Sequence, residues 1–297
     1  MKVLVTGSSG QLGSYICEFL AGEHEVSGLD IAPSPHASTR DLTVLGDIRN
    51  EADALRAAKG VDSVVHCAAQ VSVEKSTEDP VGDAQANVIG TVNMLNASAR
   101  SGVKRFVYVS SAAVYGNPRS VPIPEDHPTD PMSNYGASKL AGERFALAFG
   151  HTTRMETVAV RPFNFYSPRA DPASPYSGVI TKFVERVKAS RPPVIDGDGL
   201  QTRDFIHARD VASMAVKLLD APKVSGMVFN CGSGRSTSIL DLARTTISVS
   251  GRRLEPEFTD PRKGDIRHSL ADVTRAKEKL GFSPRISLEE GLSELLS

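Results

Sequence analysis

The stretch Lys2-Val3-Leu4-Val5-Thr6-Gly7-Ser8-Ser9-Gly10-Gln11-Leu12-Gly13 decides the fold. An apolar, β-branched run, Lys2–Thr6, passes into glycines and then into Gln11–Ala21, where apolar residues recur every three or four positions. That pattern is a strand feeding a helix through a tight turn. Gly7 permits the turn, and Gly10 has no Cβ to keep a pyrophosphate from the backbone. Gly13 lets the helix pack close to the strand, and the first helical N–H groups face the phosphate charge. A glycine pattern alone is weak; its place between strand and helix gives it meaning.

Working outward, Asp30 closes the second strand, about 20 residues on, where an acid hydrogen-bonds the adenosine ribose hydroxyls. Ile31 follows, and no arginine occurs before Arg40. A 2′-phosphate would meet a carboxylate without a cation, so the pattern favours NAD over NADP. The alternative for Asp30 is an ordinary surface turn.

Further strands are expected at Glu25–Leu29, Thr43–Leu45, Asp62–His66, Arg105–Ser110, Thr157–Arg161 and Val228–Cys231. Between and beyond them, helices are expected at Glu51–Ala58, Val81–Arg100, Asn134–Phe149, Gly178–Ser190, Arg209–Leu219 and Thr237–Ser250, with a helical tail from Asp272 broken at Gly281 and Pro284. Strands apolar on both faces, alternating with amphipathic helices, make an α/β protein with a doubly wound, Rossmann-like parallel sheet. Two proline-rich stretches, Asn117–Ser133 and Ser167–Ser177, break the rhythm and read as ordered loops. We expect an NAD-binding domain over 1–166, rejoined at about 204–232. A smaller C-terminal substrate-binding lobe takes 167–203 and 233–297.

The 297 residues carry a net charge of −1, which argues against nucleic acid as a partner and requires any phosphate binding to be local. No charged leader with an apolar core opens the sequence, and no apolar run is long enough to cross a membrane, so a cytoplasmic protein is expected. Cys17, Cys67 and Cys231 are odd in number, widely spaced and apolar in context: reduced core cysteines, with no metal site. His66, inside the apolar run Val64–Ala69, reads as a satisfied core histidine.

Tyr135-Gly136-Ala137-Ser138-Lys139 puts a phenol and an ammonium on one face of a helix start. A nearby ammonium lowers a phenol's pKa by favouring the phenolate, which suits general acid/base work. The alternative is a solvated helix face. Ser110-Ser111-Ala112-Ala113-Val114-Tyr115-Gly116 follows a buried strand, where hydroxyls point into the ligand crevice.

Taken with Asp47-Ile48, His66-Cys67-Ala68-Ala69, Asn87, Gly90-Thr91 and Arg161-Pro162-Phe163-Asn164, these features fall in the order of the extended short-chain dehydrogenases. The chain resembles that family over essentially its whole length, and within it the UDP-galactose (UDP-glucose) 4-epimerases. Gly197-Asp198-Gly199-Leu200-Gln201-Thr202-Arg203-Asp204-Phe205 and Arg262-Lys263-Gly264-Asp265 look like that group's sugar-nucleotide segments. The resemblance implies that Gly7, Gly10, Gln11, Leu12, Gly13, Asp30, Ile31, Asp47, Ile48, Cys67, Ala68, Ala69, Asn87 and Pro162 line the NAD, with Tyr135 and Lys139. Lys139 would hold the nicotinamide ribose. Ser111 and Tyr135 would meet the sugar's O4. Asn164, Arg203 and Arg262 would bind the diphosphate and Asp265 a ribose hydroxyl, with Gly178 and Val179 also against the substrate. Guanidinium forks suit a diphosphate, although surface salt bridging is the alternative for either arginine.

The activity so implied is NAD-dependent epimerisation of a nucleotide sugar at C4 through a 4-keto intermediate, in a homodimer formed through Val81–Arg100 and Asn134–Phe149. Related 4,6-dehydratases carry an Asp-Glu pair where this chain has Ala112 and Ala113, which cannot transfer protons. A reductase with net NAD(P)H turnover and a non-catalytic NAD-sensing regulator are the alternatives. Four positions depart from the pattern. Gln11 replaces a bulky apolar residue and Ser167 a glycine; Asp196 stands where an aromatic is common near the base. Ser269 replaces a bulky residue, which implies room for an N-acetyl group.

Overall fold

The computed structural model describes residues 1–170, 178–262 and 264–297. Two sequence expectations fall partly outside them: the loop Ser167–Ser177 from 171 on, and Lys263.

Strands β1 Lys2–Thr6, β2 Glu25–Asp30, β3 Thr43–Leu45, β4 Ser63–His66, β5 Arg105–Val109 and β6 Glu156–Pro162 run through the first half. Short strands follow: β7 Asn164–Tyr166, β8 Val194–Asp196, β9 Thr202–Arg203, β10 Phe205–His207, β11 Val228–Cys231, β12 Thr237–Ser238 and β13 Glu257–Thr259. The helices are α1 Gln11–Leu20, α2 Ala37–Arg40, α3 Glu51–Ala58, α4 Val73–Glu78, α5 Pro80–Ala84, α6 Gly90–Arg100, α7 Asn134–Thr152, α8 Val179–Lys188, α9 Ala208–Asp220, α10 Ile239–Ser250, α11 Thr274–Leu280 and α12 Leu288–Leu296.

Seven strands form one parallel sheet in the order β11-β6-β5-β4-β1-β2-β3. Its central strands are buried on both faces, with Val64, Val65, Phe106 and Val107 fully covered, which is why they read as unbroken apolar runs. Ile16, Leu20, Val211 and Leu218 from α1 and α9 pack on one face; Ala54, Met94, Leu95 and Ala146 from α3, α6 and α7 pack on the other. A third cluster, Phe183, Val184, Ile195, Leu242 and Leu292, joins α8, α10 and α12 away from the sheet. There the chain is stitched by small ladders, β8 with β13 and β9 with β12.

The expected helix Val81–Arg100 is not uniform. A π-turn over Gln85–Ile89 lies between α5 and α6. It turns Asn87 inward, 1% exposed, onto the main chain of Gln70. Such side-chain bonds stabilise the extra residue that a π-turn accommodates. Helix α4 was not expected: its sequence, Val-Glu-Lys-Ser-Thr-Glu, has no apolar period, and its start is instead capped by Ser72, which accepts from Lys75 N–H.

Candidate active site

Strand order reverses between β1 and β4, because the chain leaves them toward opposite edges of the sheet. A crevice therefore opens beyond their carboxyl ends. The glycine turn follows β1 and Cys67–Ala69 follows β4, so both expected cofactor segments border it. They touch: Gly7 has φ +70°, and a Cβ there would lie 2.8 Å from Ala68 N. A Cβ on Gly13 would lie 2.1 Å from the Gly7 carbonyl oxygen, which leaves no room for a side chain. The backbones are pinned by Cys67 N–H to Thr6 O, 3.2 Å, and Ala68 N–H to Thr6 Oγ1, 3.2 Å.

No side chain caps α1 at Gly10, so the first amides, Gln11 and Leu12, keep no side-chain acceptor and are suited to a phosphate. The Asp30 carboxylate is held by two main-chain donors, Ser9 N–H at 3.0 Å and Ala32 N–H at 3.1 Å. Ile31 is exposed beside it, while Ile48 is buried under Gly90. Asp47 is clamped by Arg49, 2.6 Å at Nη2, whose hydrogen bond holds its carboxyl below the usual range. An open helix start, an anchored carboxylate and touching backbones fit NAD.

The candidate acid/base residues come from two elements. Ser111 caps a 3-10 turn, Ala112–Tyr115, accepting from Ala113 N–H at 3.1 Å. That leaves the Ser111 proton free to be donated, and the hydroxyl favours ionisation of the Tyr135 phenol. Tyr135 opens α7, whose first turn is tied to α4: Tyr135 N–H donates to Ser76 Oγ at 3.1 Å and Asn134 Nδ2 to Ser76 O at 2.9 Å. Gly136 keeps these elements together, since a Cβ there would meet Ala113 O at 2.8 Å. One turn on, the Lys139 Nζ lies 4.6 Å from the centroid of the Tyr108 ring.

One expectation is corrected here. Lys139 does not bring the phenol toward neutrality in the protein alone. Burial pushes Tyr135 above its ordinary value, with Ser111 opposing and Asp83 adding to the rise. The ammonium is directed at the Tyr108 face instead, and its own burial draws it down to about 8. His66 is the satisfied core histidine expected: Nδ1 is 2.8 Å from Thr6 Oγ1 and Nε2 3.1 Å from Thr91 Oγ1, and burial pulls it to about 3. All three cysteines are free thiols.

Two buried networks support this site, and neither was anticipated. Asp83 Oδ1 accepts from Gln70 Nε2 at 2.7 Å and Asn87 Nδ2 at 3.1 Å, and Asn87 Nδ2 also lies 3.0 Å from Ser138 Oγ. Further along α7, Glu143 accepts from Arg161 Nε at 2.9 Å, Arg161 Nη2 at 2.6 Å and Ser110 Oγ at 2.7 Å. Arg161 Nη1 donates to Tyr115 Oη, which donates to Asn230. The Tyr-to-Lys spacing, extended by one more turn to Glu143, was the available signal for the second network. For the first, sequence offered none.

The expected diphosphate ligands already hold carboxylates. Arg203 Nη2 lies 2.5 Å from Asp265 Oδ1, and Arg262 Nη2 lies 2.6 Å from Glu74 Oε1, on α4. Asp265 and Asp196 both bear electrostatically on Arg262, so these segments share one region. Asn164 is exposed after β6, with Pro162 at that strand's end; Gly178 and Val179 start α8 with no side-chain cap. Ser269 is half-buried, its N–H bonded to Thr202 O. Two departures meet: Gln11 Nε2 donates to the buried Ser167 Oγ at 3.1 Å.

Fold and glycine turn define a dinucleotide-dependent α/β protein. Residues 3–232 match the NAD dependent epimerase/dehydratase family, and the chain belongs to that family. A UDP-glucose 4-epimerase of Mycolicibacterium smegmatis is 38% identical over 305 residues, covering 99% of this chain and 97% of that protein. The crystal structure of a Thermotoga maritima UDP-glucose 4-epimerase with UDP-glucose superposes with a TM-score of 0.93 at 34% identity, covering 100% of this chain and 97% of that one. A UDP-N-acetylglucosamine 4-epimerase from Methanobrevibacter ruminantium, in complex with UDP-N-acetylmuramic acid, gives 0.93 at 31% identity, covering 99% and 96%.

Proposed function

We propose that this protein interconverts the C4 epimers of a nucleotide-diphosphate sugar, UDP-glucose and UDP-galactose first, with NAD retained. The observation that carries the reading is the packing of Gly136 on Ala113 O, which sets Tyr135 against the Ser111 turn beside the dinucleotide crevice, with only Ala112 and Ala113 following Ser111. NAD, when bound, supplies the reversible two-electron oxidation at C4 and, oxidised, a positive ring charge.

The chain's own task is proton handling. Tyr135 takes the O4 proton as C4 is oxidised and returns it to the 4-keto sugar after the ring has turned. Ser111 steadies the same oxygen by donating to it. A buried phenol resists ionisation, so a positive charge arriving in the crevice favours the phenolate, as opposite charges do. Lys139, as ammonium, would hold the nicotinamide ribose hydroxyls. Asp30 would hold the adenosine ribose, and its carboxylate favours NAD over a 2′-phosphorylated cofactor.

Arg203 and Arg262 would release Asp265 and Glu74 to take the diphosphate, with Asn164 beside them and Asp265 free for a ribose hydroxyl. Gly178 and Val179 present an uncapped helix start to the same ligand. The sugar nucleotide would thus lie between the sheet and the lobe of 167–203 and 233–297. Ser269, in place of a bulky residue, would leave room for an N-acetyl group. A cytoplasmic homodimer is part of this proposal. Among the described residues no helix is long and apolar enough to cross a membrane.

The test is incubation with UDP-galactose while product and NADH absorbance are followed together. UDP-glucose formation without net NADH change supports epimerisation. Stoichiometric NADH formation would assign a dehydrogenase, NADH consumption with a 4-keto sugar nucleotide a reductase, and no turnover of any nucleotide sugar would assign a sensor. Turnover of UDP-N-acetylglucosamine in the same assay checks the Ser269 reading.

A further inference from the structure

Asp83 has no role in the proton handling described above, yet it lies against that site. It stands on α5 and is 2% exposed, in an environment where few acids are found. Buried charges persist where they are paired or fully hydrogen-bonded. Asp83 Oδ1 takes two amide donors, Gln70 Nε2 at 2.7 Å and Asn87 Nδ2 at 3.1 Å. Gln70 belongs to the loop after β4 and also donates from Nε2 to Ser72 O at 2.9 Å. Asn87 belongs to the π-turn, and its Nδ2 reaches Ser138 Oγ at 3.0 Å, while Ser138 Oγ donates to Tyr135 O at 3.0 Å. The carboxylate therefore ties the loop after β4 to the π-turn, and through Asn87 the π-turn is joined to the helical turn between Tyr135 and Lys139.

We propose that Asp83 is a positioning residue of this site, its buried carboxylate clamping the loop after β4 and the π-turn to α7 and governing the proton held at Tyr135. The proposal rests on the epimerase reading only in naming what that proton is for.

Titratable groups from several elements face the pair. Around Tyr135 stand Ser111 from the 3-10 turn, Tyr108 from β5 and Asp83 from α5. Around Lys139 stand His66 and Cys67 from the end of β4, Glu143 from α7 itself and Asp83. Asp83 thus bears on both members of the pair. Its negative charge disfavours phenolate and favours ammonium. Burial acts on Lys139 in the opposite sense, so Asp83 and Glu143 are the carboxylates that keep the lysine charged.

Asp83→Asn removes the charge and keeps an oxygen for the two amides. The experiment is a spectrophotometric titration of tyrosinate absorbance in the NAD-loaded protein. Asp83→Asn is compared with the parent, each with and without Tyr135→Phe so that the Tyr135 signal is isolated. The Tyr135 midpoint is expected to fall by roughly one pH unit, while Asp83→Glu leaves it in place. Asp83→Ser serves in the same comparison if the asparagine variant does not fold. A midpoint unmoved in whichever uncharged variant folds overturns the proposal. No sugar nucleotide is used, so a parent protein that turns over no nucleotide sugar would end the epimerase reading while the titration still decides Asp83. With UDP-galactose as substrate, the acid limb of kcat/KM against pH moves the same way, and kcat changes more than KM.

Discussion

At the scale of single residues, the site is a contest between burial and charge. Tyr135 and Lys139 both lose water, which disfavours the ionised form of each, and the charges around them decide what remains. Tyr135→Phe removes the only atom that exchanges a proton with O4 in the proposed mechanism. We expect kcat to fall by about 10²- to 10⁴-fold with the unfolding temperature little changed, as judged by epimerase assay and circular dichroism. Lys139 makes a second prediction. Its folded value of about 8 means that the ammonium dominates below that pH and the neutral amine above it. A charged donor holds a ribose hydroxyl more strongly than a neutral one by about 1 kcal/mol. NAD affinity of the cofactor-free protein should therefore begin to weaken as pH rises through about 8. The loss should amount to about fivefold by titration calorimetry. Affinity that rises or stays flat across that range would show that the ammonium does not hold the ribose.

Between elements, close approach and buried pairing set the geometry. Helix α1 can start beside β1 only because Gly13 has no side chain, with 2.1 Å available to a Cβ before the Gly7 carbonyl oxygen. Gly13→Ala must shift the helix start; a destabilisation of about 1–3 kcal/mol is expected. Calorimetric NAD affinity should fall with it, because the same amides are the ones proposed to face the phosphates. Helix α7 is anchored to β6 and the 3-10 turn by Glu143 and Arg161, whose side chains are 0% and 2% exposed. Arg161→Leu leaves a buried carboxylate without its partner, a loss of about 3–5 kcal/mol, measurable by urea denaturation. A double variant that also replaces Glu143 by Leu should recover much of that loss, since no lone charge remains.

For the whole molecule, the outer face of the helices that carry Asp83 and Tyr135 is not fully covered within one chain. Val81, Ile89 and Phe145 stand 66%, 52% and 43% exposed there. Exposed apolar side chains gathered on paired helices mark association surfaces, which agrees with the proposed homodimer. Val81→Asp combined with Phe145→Glu is expected to halve the mass found by sedimentation equilibrium. An unaltered mass would move the interface elsewhere or remove it. Dimerisation through this face would also buttress the segment bearing Asp83, so the monomeric variant should lose kcat as well as its partner.

Much of this protein was legible in its residues before any coordinates. The apolar runs of β1, β4 and β5, the glycines at 7, 10 and 13, Asp30, and the Tyr135–Lys139 spacing are local patterns. Each acts through its own neighbours, so each could be read in place. The ladder β8–β13, the contact between Gln11 and Ser167, the pairing of Glu143 with Arg161, and the clamp at Asp83 join residues on different elements, which no single local pattern links. Glu143 and Asp83 sit in helices whose sequence would equally suit a solvated face. Whether such a carboxylate meets water, an amide or a guanidinium depends on what the sheet brings against it. That is why the tertiary structure alone decided which charges were buried, and with them the electrostatics of the site.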